Sequence, residues 1–401
     1  MRTIKETLHE KRKTTEYHIK QLQHEGKQGI RYTAMMPDIP FLILGLMSDI
    51  GWLTHLIAGI IYFCGNGFRY VLDYAAFLAL AGILFGVVYL IYLNKIHEKE
   101  IATKLQKNLN TDVSYSFGMT ANIANALTGG AKKKICACHS FEEIKNGRYM
   151  KLIGKKADLL FCCAKKMTDL AVKQYGFSNI ETLWNPCDTE EVREQSRKGN
   201  KEELTFFEEE KPVFVSMGRE DEVKGFWHLL KAFRRVSESL PDAKLAVIGE
   251  GSFEKYKALA RDLQIEERIW FTGLKKNPFP YLAKGKAYVL SSISEGLPNA
   301  LVEALSLSLP VISVNCLSGP AEILHENWQE AEEKKEYFEA DYGILTPAVS
   351  QTPDFQAKWQ NEGKLIKLEK EEEILAEAML RIATDEELCR HYKEKDRKRH
   401  V

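Results

Sequence analysis

Short apolar runs alternate with segments of helical periodicity from residue 96 to the end of the chain. The runs at 134–139, 157–163, 213–217 and 243–248 have the length of buried strands. A chain that alternates strands with helices in this way forms parallel sheets, because each helix carries the chain back to the start of the next strand. The pattern therefore predicts an α/β protein built on parallel sheets.

A highly charged stretch at residues 190–210 divides this alternating region. Few apolar residues interrupt it, so we interpret it as a linker. Residues 96–190 are then predicted to form a partial Rossmann-like domain. Residues 191–401 are predicted to form a second, more complete Rossmann-like domain.

Residues 1–95 combine a polar arm with two apolar runs. The 19 residues between Asp49 and Arg69, and the 21 residues at 74–94, contain no Asp, Glu, Lys or Arg. Because a helix of about 20 apolar residues spans a bilayer, the runs predict a transmembrane hairpin. Basic residues flank its outer ends, which would place both ends in the cytoplasm. Two core helices of a soluble domain, or a gene fusion, are the alternatives.

Charge and cysteine content argue against several classes of function. Lys+Arg and Asp+Glu both number 56, so a formal charge of zero gives no electrostatic basis for binding nucleic acid. The eight cysteines lack the spacing of a disulfide framework, and we expect reduced thiols. Cys136, Cys138 and His139 could begin a metal site, but no second Cys/His cluster completes it, so no metal is predicted.

Polar and glycine residues follow three predicted strands of the second domain. Arg219 and Lys224 come after the first strand and just before a helix, where two cations suit a diphosphate. Gly249 and Gly251 follow the second strand, and their missing side chains would let the backbone approach a ligand. Asn277 follows the third, in a turn that could border a base. Each feature alone also fits an ordinary loop.

The turn at residues 291–303 is the fourth such feature, between a predicted strand and the predicted helix 300–307. Glu295 lies on the loop and Glu303 one turn into the helix, with seven residues between them. Free N–H groups at a helix start attract phosphate, and carboxylates accept hydrogen bonds from sugar hydroxyls. Parallel sheets bind ligands at the carboxyl ends of their strands, so the four features together predict a nucleotide-sugar site.

Five motifs in the chain resemble those of the retaining GT-B glycosyltransferases of the group-1, family-four type. They are Gly218-Arg219…Lys224-Gly225, Gly249-Glu250-Gly251, Phe271-Thr272-Gly273…Asn277-Pro278, Glu295-Gly296-Leu297-Pro298-Asn299…Glu303 and Ser318-Gly319-Pro320…Glu322. The resemblance covers about residues 105–385. It implies a GT-B-like fold of two Rossmann-type parallel-sheet domains, of which 191–401 binds the donor. In the first domain it rests on residues such as Asn122, His139 and Asn185.

The resemblance also implies a role for each candidate residue. Arg219 and Lys224 would hold the donor diphosphate, and Glu303 would bind the donor ribose. Other donor contacts are implied at Gly249, Gly251, Asn277, Gly296, Leu297 and Asn299. His139 and Glu295 would face the reacting sugar from opposite walls of the cleft and are the catalytic candidates.

The implied reaction moves a hexose or N-acetylhexosamine from a nucleotide-sugar donor to a lipid-linked or cell-envelope glycan acceptor, with retention of configuration. UDP is the nucleotide that the family favours, and neither a metal nor another cofactor is needed. With the apolar hairpin, this predicts a membrane-associated enzyme whose catalytic domain lies in the cytoplasm. A non-catalytic nucleotide-sugar-binding or partner protein is the main alternative, and an epimerase on the same architecture is a third hypothesis.

The first domain departs from the family pattern. Residues 1–110 contain no opening strand with a glycine-rich loop, and about 75 residues, 111–185, remain of a domain that is normally far larger. We therefore expect the acceptor side to be truncated or replaced.

Overall fold

A computed structural model describes residues 103, 106–199, 202–207, 211–360 and 365–398. The polar arm and the two apolar runs predicted to form a hairpin lie outside these residues. Within them, no helix combines the length and the apolar character that crossing a bilayer requires. The two sheets described below belong to one compact unit that spans residues 102–401.

The first sheet, called the four-stranded sheet, lies in the N-terminal part of this unit. Its strands are β1 (Val113–Phe117), β2 (Lys133–Cys138), β3 (Leu159–Cys162) and β4 (Ile180–Thr182). The helices of this part are α1 (Met119–Leu127), α2 (Phe141–Lys145), α3 (Gly147–Lys156), α4 (Lys165–Tyr175) and α5 (Thr189–Ser196). The strands are parallel and lie in chain order.

One face of the four-stranded sheet is covered, and on the other face the edge strand β1 is exposed. Right-handed crossovers between strands that follow each other in chain order place the connecting helices on a single face. Cys136, Leu160 and Cys162 on that face are fully buried. On the opposite face, Tyr115 and Phe117 of β1 are 50% and 66% exposed. The exposure on that face is confined to the edge strand, since Ala137 of β2, the register partner of Phe117, is 2% exposed.

The second sheet, called the seven-stranded sheet, follows in the chain. Its strands are β5 (Val213–Met217), β6 (Lys244–Ile248), β7 (Ile269–Gly273), β8 (Ala287–Leu290), β9 (Val311–Val314), β10 (Phe338–Ala340) and β11 (Gly343–Thr346). They lie in the order β10-β11-β9-β8-β5-β6-β7, and only β10 pairs antiparallel within this sheet. A two-stranded ribbon, β12 (Trp359–Gln360) and β13 (Leu365–Ile366), comes later.

Helices pack on both faces of the seven-stranded sheet. They are α6 (Phe226–Ser239), α7 (Glu254–Asp262), α8 (Phe279–Ala283), α9 (Asn299–Ser306), α10 (Pro320–Leu324), α11 (Trp328–Glu333), α12 (Lys370–Thr384) and α13 (Glu386–Lys398). Val213 and Val215 belong to one hydrophobic cluster, whereas Phe214 between them belongs to another. Because successive strand residues point to opposite faces, both faces of this sheet are buried. The predicted α/β fold with parallel sheets is confirmed.

The start of the predicted linker is a docked helix rather than a linker. Helix α5 begins after Asp188, whose Oδ1 accepts a hydrogen bond from the Glu191 N–H at 3.1 Å. Arg193 Nε donates to the Ser306 carbonyl oxygen at 2.9 Å, which ties α5 to α9. The high charge of this stretch hid the helix, because its few apolar residues include a single buried side chain, Val192.

Candidate active site

A cavity of about 520 Å³ opens between the carboxyl ends of the two sheets. Residues 139–142, which follow β2, form one wall, and turns after β5 and β8 form the other. Seven of the predicted site residues line it: His139, Arg219, Lys224, Glu295, Gly296, Leu297 and Asn299. The residues that sequence reasoning grouped on two domains therefore meet in one place.

Glu295 is the best-anchored carboxylate of the cavity. Its side chain is only 11% exposed, and its Oε1 accepts a hydrogen bond from Lys224 Nζ at 2.7 Å. Ser292 Oγ donates to the same oxygen at 2.6 Å. An ion pair that is partly shielded from water and shares a hydroxyl donor holds its geometry far better than a surface pair does.

Arg219 occupies a more open position on the same wall. Its side chain is 72% exposed and pairs with Asp221, with Nη2 and Oδ2 3.1 Å apart. An exposed pair of this kind contributes little to stability, so Arg219 can turn toward an incoming anion at small cost. Lys224 is therefore the fixed cation of the site and Arg219 the adjustable one.

Close backbone packing explains two of the glycines. A Cβ on Gly296 would lie 2.2 Å from the His139 carbonyl oxygen, so only glycine permits the two walls to approach this closely. A Cβ on Gly249 would lie 1.8 Å from the Gly218 carbonyl oxygen. Gly249 and Gly251 do not line the cavity. Gly249 thus makes room for the Gly218 backbone, where we had predicted room for a ligand.

His139 is exposed to the cavity at the end of β2, and a buried polar network holds its backbone. The His139 N–H donates to Glu143 Oε2 at 2.8 Å, and Tyr149 Oη donates to Glu143 Oε1 at 3.0 Å. Asn122 Nδ2 in turn donates to Tyr149 Oη at 2.7 Å. The His139 ring also makes an edge contact with Phe117, with ring centroids 5.7 Å apart. The position of the imidazole is therefore set by the hydrogen bonds to its backbone and by the ring contact with Phe117.

Sequence reasoning missed Glu143 and Tyr149 as supports of this wall. A helix-start signal was present, because Ser140 and Glu143 form a capping box at the start of α2. Tyr149 carried no comparable signal, since its partners lie 6 and 27 residues away.

Glu303 and Asn277, two predicted donor contacts, do not line the cavity. Glu303 is largely buried in α9, and this burial raises the pKa of its carboxyl above the ordinary range. Asn277 Nδ2 donates to the Gln195 carbonyl oxygen at 2.8 Å. Its amide therefore joins the turn after β7 to helix α5, which leaves the backbone of that turn as the part able to border a base.

Contacts between the two sheets fix the width of the cavity. Glu322 of α10 accepts hydrogen bonds from the N–H groups of Lys165 and Lys166, at 2.6 and 2.9 Å. Helix α4 has no side-chain cap of its own, so a carboxylate from the other sheet caps it. Asn185 Nδ2 also donates to Asn299 Oδ1 at 2.8 Å, at the predicted interdomain crossing.

Possible metal ligands gather away from the cavity. Among the described residues, one group of His, Cys or acidic side chains brings its ligand atoms within 4.8 Å of one another: His228, Glu369 and Glu372. Both ring nitrogens of His228 already have partners, Glu372 at 2.7 Å and the Ser350 carbonyl oxygen at 3.0 Å. His228 and Glu372 therefore form a buried hydrogen bond between α6 and α12, whereas Glu369 is exposed.

Residues 197–331 match the family described as "Glycosyl transferases group 1". An uncharacterized glycosyltransferase of Methanocaldococcus jannaschii is 32% identical over 63% of this chain and 63% of its own length. N-acetylgalactosamine-N,N'-diacetylbacillosaminyl-diphospho-undecaprenol 4-alpha-N-acetylgalactosaminyltransferase of Campylobacter jejuni is 26% identical over 63% of this chain and 67% of its own length. The chain thus aligns with less than two thirds of the first relative.

A solved structure shares the fold. It is that of Anabaena HepE in complex with UDP and glucose, which matches with a TM-score of 0.54 and 14% identity over 74% of this chain and 75% of that one. The family match thus covers residues 197–331, and the likeness to the HepE structure shows a shared fold.

Proposed function

We propose that this protein transfers a sugar from a UDP-sugar to a lipid-linked or cell-envelope glycan, with retention of configuration. The observation that carries the proposal is the single cavity in which the Lys224–Glu295 pair lies opposite His139. The cation matches a diphosphate, the carboxylate matches sugar hydroxyls, and the opposite wall leaves room for an acceptor. His139 and Glu295, which are 156 positions apart in the sequence, converge there.

Each residue has a defined task in the proposed reaction. Lys224 and Arg219 stabilise the diphosphate, which is where negative charge develops as the bond from the sugar C1 to the phosphate oxygen breaks. Glu295 accepts a hydrogen bond from a sugar hydroxyl and orients the ring. The acceptor oxygen bonds to C1 on the same face, and its proton passes to the departing phosphate oxygen. The products are UDP and the extended glycan, and His139 faces the reacting centre.

Two of the similar proteins support the choice of donor and acceptor. The HepE structure is a complex with UDP and glucose, and the Campylobacter relative is named for a diphospho-undecaprenol-linked acceptor. A lipid-linked acceptor also fits the predicted membrane association and cytoplasmic catalytic domain. That prediction comes from the apolar runs between Asp49 and Arg69 and at 74–94, which lie outside the described residues.

A transfer assay on membranes tests the proposal. Membranes from cells that produce the wild type, Glu295→Ala, Lys224→Ala or Arg261→Ala are incubated with radiolabelled UDP-glucose, UDP-galactose, UDP-N-acetylglucosamine or UDP-N-acetylgalactosamine. We expect the first two variants to lose about 100-fold or more in rate, as removal of a transition-state contact does. Arg261→Ala is the control, because this arginine pairs with Glu266 on the surface, 3.3 Å away. Equal incorporation by all four proteins would refute the proposal.

A second candidate function is a non-catalytic nucleotide-sugar-binding or partner protein. The exposed edge strand β1 favours it, because Tyr115 and Phe117 are at least half exposed on what would be the acceptor side. It predicts that calorimetry detects UDP binding by the wild type while no donor yields a glycosylated product. Transfer of radiolabel to any acceptor would exclude it.

A further inference from the structure

Two buried serines contact the Glu295 turn from behind the cavity wall. Ser292 is 1% exposed, and its Oγ donates to Glu295 Oε1 at 2.6 Å. Ser318 is 4% exposed, and its Oγ lies 2.8 Å from the Glu295 carbonyl oxygen and 3.1 Å from that of Gly296. Neither serine lines the cavity. Each can therefore act on a ligand only through the turn that it holds.

The hydrogen bonds to the Glu295 carboxylate converge on one oxygen. Among the described residues, both side-chain donors, Ser292 Oγ and Lys224 Nζ, reach Oε1. Two donors on a single oxygen fix the rotation of the carboxylate. The other oxygen, Oε2, is then the one that can accept a hydrogen bond from a sugar hydroxyl.

The two donors differ in what a bound diphosphate does to them. The Lys224 ammonium is attracted by phosphate charge, so binding of the donor weakens its hold on Glu295. The Ser292 hydroxyl is neutral and buried, and it stays in place. Because Glu295 must keep its orientation while the phosphates engage Lys224, a neutral second donor has a clear purpose.

Other buried serines of the same sheet show the ordinary alternative. Ser291 Oγ donates to the Lys224 carbonyl oxygen at 2.9 Å, and Ser313 Oγ donates to the Val314 carbonyl oxygen at 2.9 Å. Both satisfy backbone groups, as most buried hydroxyls do. Ser292 differs because its acceptor is the side-chain carboxylate that lines the cavity.

We propose that Ser292 is a positioning residue, which holds Glu295 Oε1 so that Oε2 faces the sugar of the bound donor, and that Ser318 fixes the backbone of the same turn. This inference rests on the proposed function. It goes further by assigning the orientation of the sugar-binding carboxylate to residues outside the cavity.

A double-mutant cycle tests the role of Ser292. Transfer rates and UDP affinity are measured for the wild type, Ser292→Ala, Glu295→Ala and the double variant, with Ser313→Ala as the matched control for loss of a buried hydroxyl. We expect Ser292→Ala to lower kcat about 10-fold while the Kd for UDP stays within twofold. The double variant should be no slower than Glu295→Ala, because a residue that acts through Glu295 has nothing left to position. Ser313→Ala should keep the wild-type kcat.

Thermal unfolding separates positioning from simple stability. Ser292→Ala and Ser313→Ala each lose one buried hydrogen bond, so we expect similar decreases in Tm.

The double-mutant cycle has an outcome that would contradict the inference. If the losses in rate from Ser292→Ala and Glu295→Ala multiply in the double variant, Ser292 acts independently of Glu295 and the inference is wrong.

A binding measurement keeps this inference distinct from the proposed function. The ratio of the affinities for UDP-glucose and UDP reports the contribution of the sugar, and it needs no acceptor. We expect Ser292→Ala to lower that ratio about 5-fold. A lower ratio without transfer by the wild type would overturn the proposed reaction and support the positioning role. An unchanged ratio would overturn the positioning role, whether or not the wild type transfers sugar.

Discussion

The two sheets differ in how far the side chains on their two faces are buried. In the seven-stranded sheet, Val213, Phe214 and Val215 are all at most 2% exposed, because helices cover both faces. In the four-stranded sheet, Tyr115 and Phe117 are half exposed or more on one face. The wall that carries Lys224 and Glu295 therefore stands on a sheet with two buried faces, whereas the four-stranded sheet exposes its edge strand β1 on one face.

Polar contacts compensate on the covered face of the four-stranded sheet. Asn122 is fully buried, accepts a hydrogen bond from Ser116 Oγ at 2.7 Å and donates to the Ala137 carbonyl oxygen at 2.8 Å. It continues through Tyr149 to the backbone of His139. The four-stranded sheet thus adds a directional network to the apolar core on its covered face, and such a network specifies a single arrangement but tolerates little loss of its members.

Equivalent truncations of two phenylalanines give the largest expected contrast. Phe214→Ala in β5 removes a fully buried ring and should lower the free energy of unfolding by about 3–5 kcal/mol. Phe117→Ala in β1 removes a ring that is 66% exposed and should change it by about 0.5 kcal/mol or less. Urea unfolding followed by circular dichroism measures both. Equal losses would mean that the face around Phe117 is covered in solution, which would break the comparison.

Two glycine substitutions sharpen the comparison at the backbone level. The Cβ of Gly249→Ala would lie 1.8 Å from a backbone oxygen of the neighbouring strand end, and we expect a loss of about 3 kcal/mol in the free energy of unfolding. Gly129→Ala, in the loop before β2, meets no heavy atom within 4 Å and should be nearly neutral. The same urea titration measures both. A stable Gly249→Ala protein would show that the ends of β5 and β6 can separate.

The smallest expected effect on stability concerns the carboxyl group of Glu303, which is largely buried in α9. Burial raises the pKa of Glu303 above its ordinary 4.5, so the folded protein binds this proton more tightly than the unfolded chain does. The contribution of Glu303 to the free energy of unfolding therefore decreases as pH rises from 4.5 to the raised pKa. Glu303→Gln should match the wild type near pH 4 and become more stable than it at pH 7. Melting temperatures across this range measure the difference.

An exposed carboxylate provides the control for that measurement. Glu267 is exposed to solvent, so Glu267→Gln should have the same melting temperature as the wild type at every pH. A Glu303→Gln protein that is less stable than the wild type at pH 7 would show that its carboxylate has a stabilising partner in solution.

Local pattern predicted much of this fold. The strand at 213–217 was predicted with the bounds that the structure has, and the helix predicted at 300–307 is found at Asn299–Ser306, because apolar runs and helical periodicity are local properties. The grouping of Lys224 with Glu295 could also be predicted, since the carboxyl ends of parallel strands meet along one edge. That His139 of the other sheet faces them was implied by the resemblance to the glycosyltransferase family.

The remaining features depend on contacts between distant residues. The sequence placed Asn277 in a turn that could border a base but did not show that its amide donates to the carbonyl oxygen of Gln195, which lies 82 residues earlier. The capping of α4 by Glu322 joins residues 156 and 157 positions apart. Hydrogen bonds of this kind are set by how the two sheets pack, and no periodicity in the sequence records them.

The Lys224–Glu295 pair makes the cavity selective among anions. Inorganic phosphate that enters must compete for Nζ of Lys224 with a carboxylate 2.7 Å away, whose effective concentration is set by the fold and does not fall on dilution. Under the proposed function, a nucleotide sugar competes more effectively, because its phosphates replace the carboxylate at Lys224 while a hydroxyl of the same molecule binds Glu295. Small anions would thus bind weakly, and a ligand that carries both a phosphate and a sugar hydroxyl at the right spacing would bind more tightly.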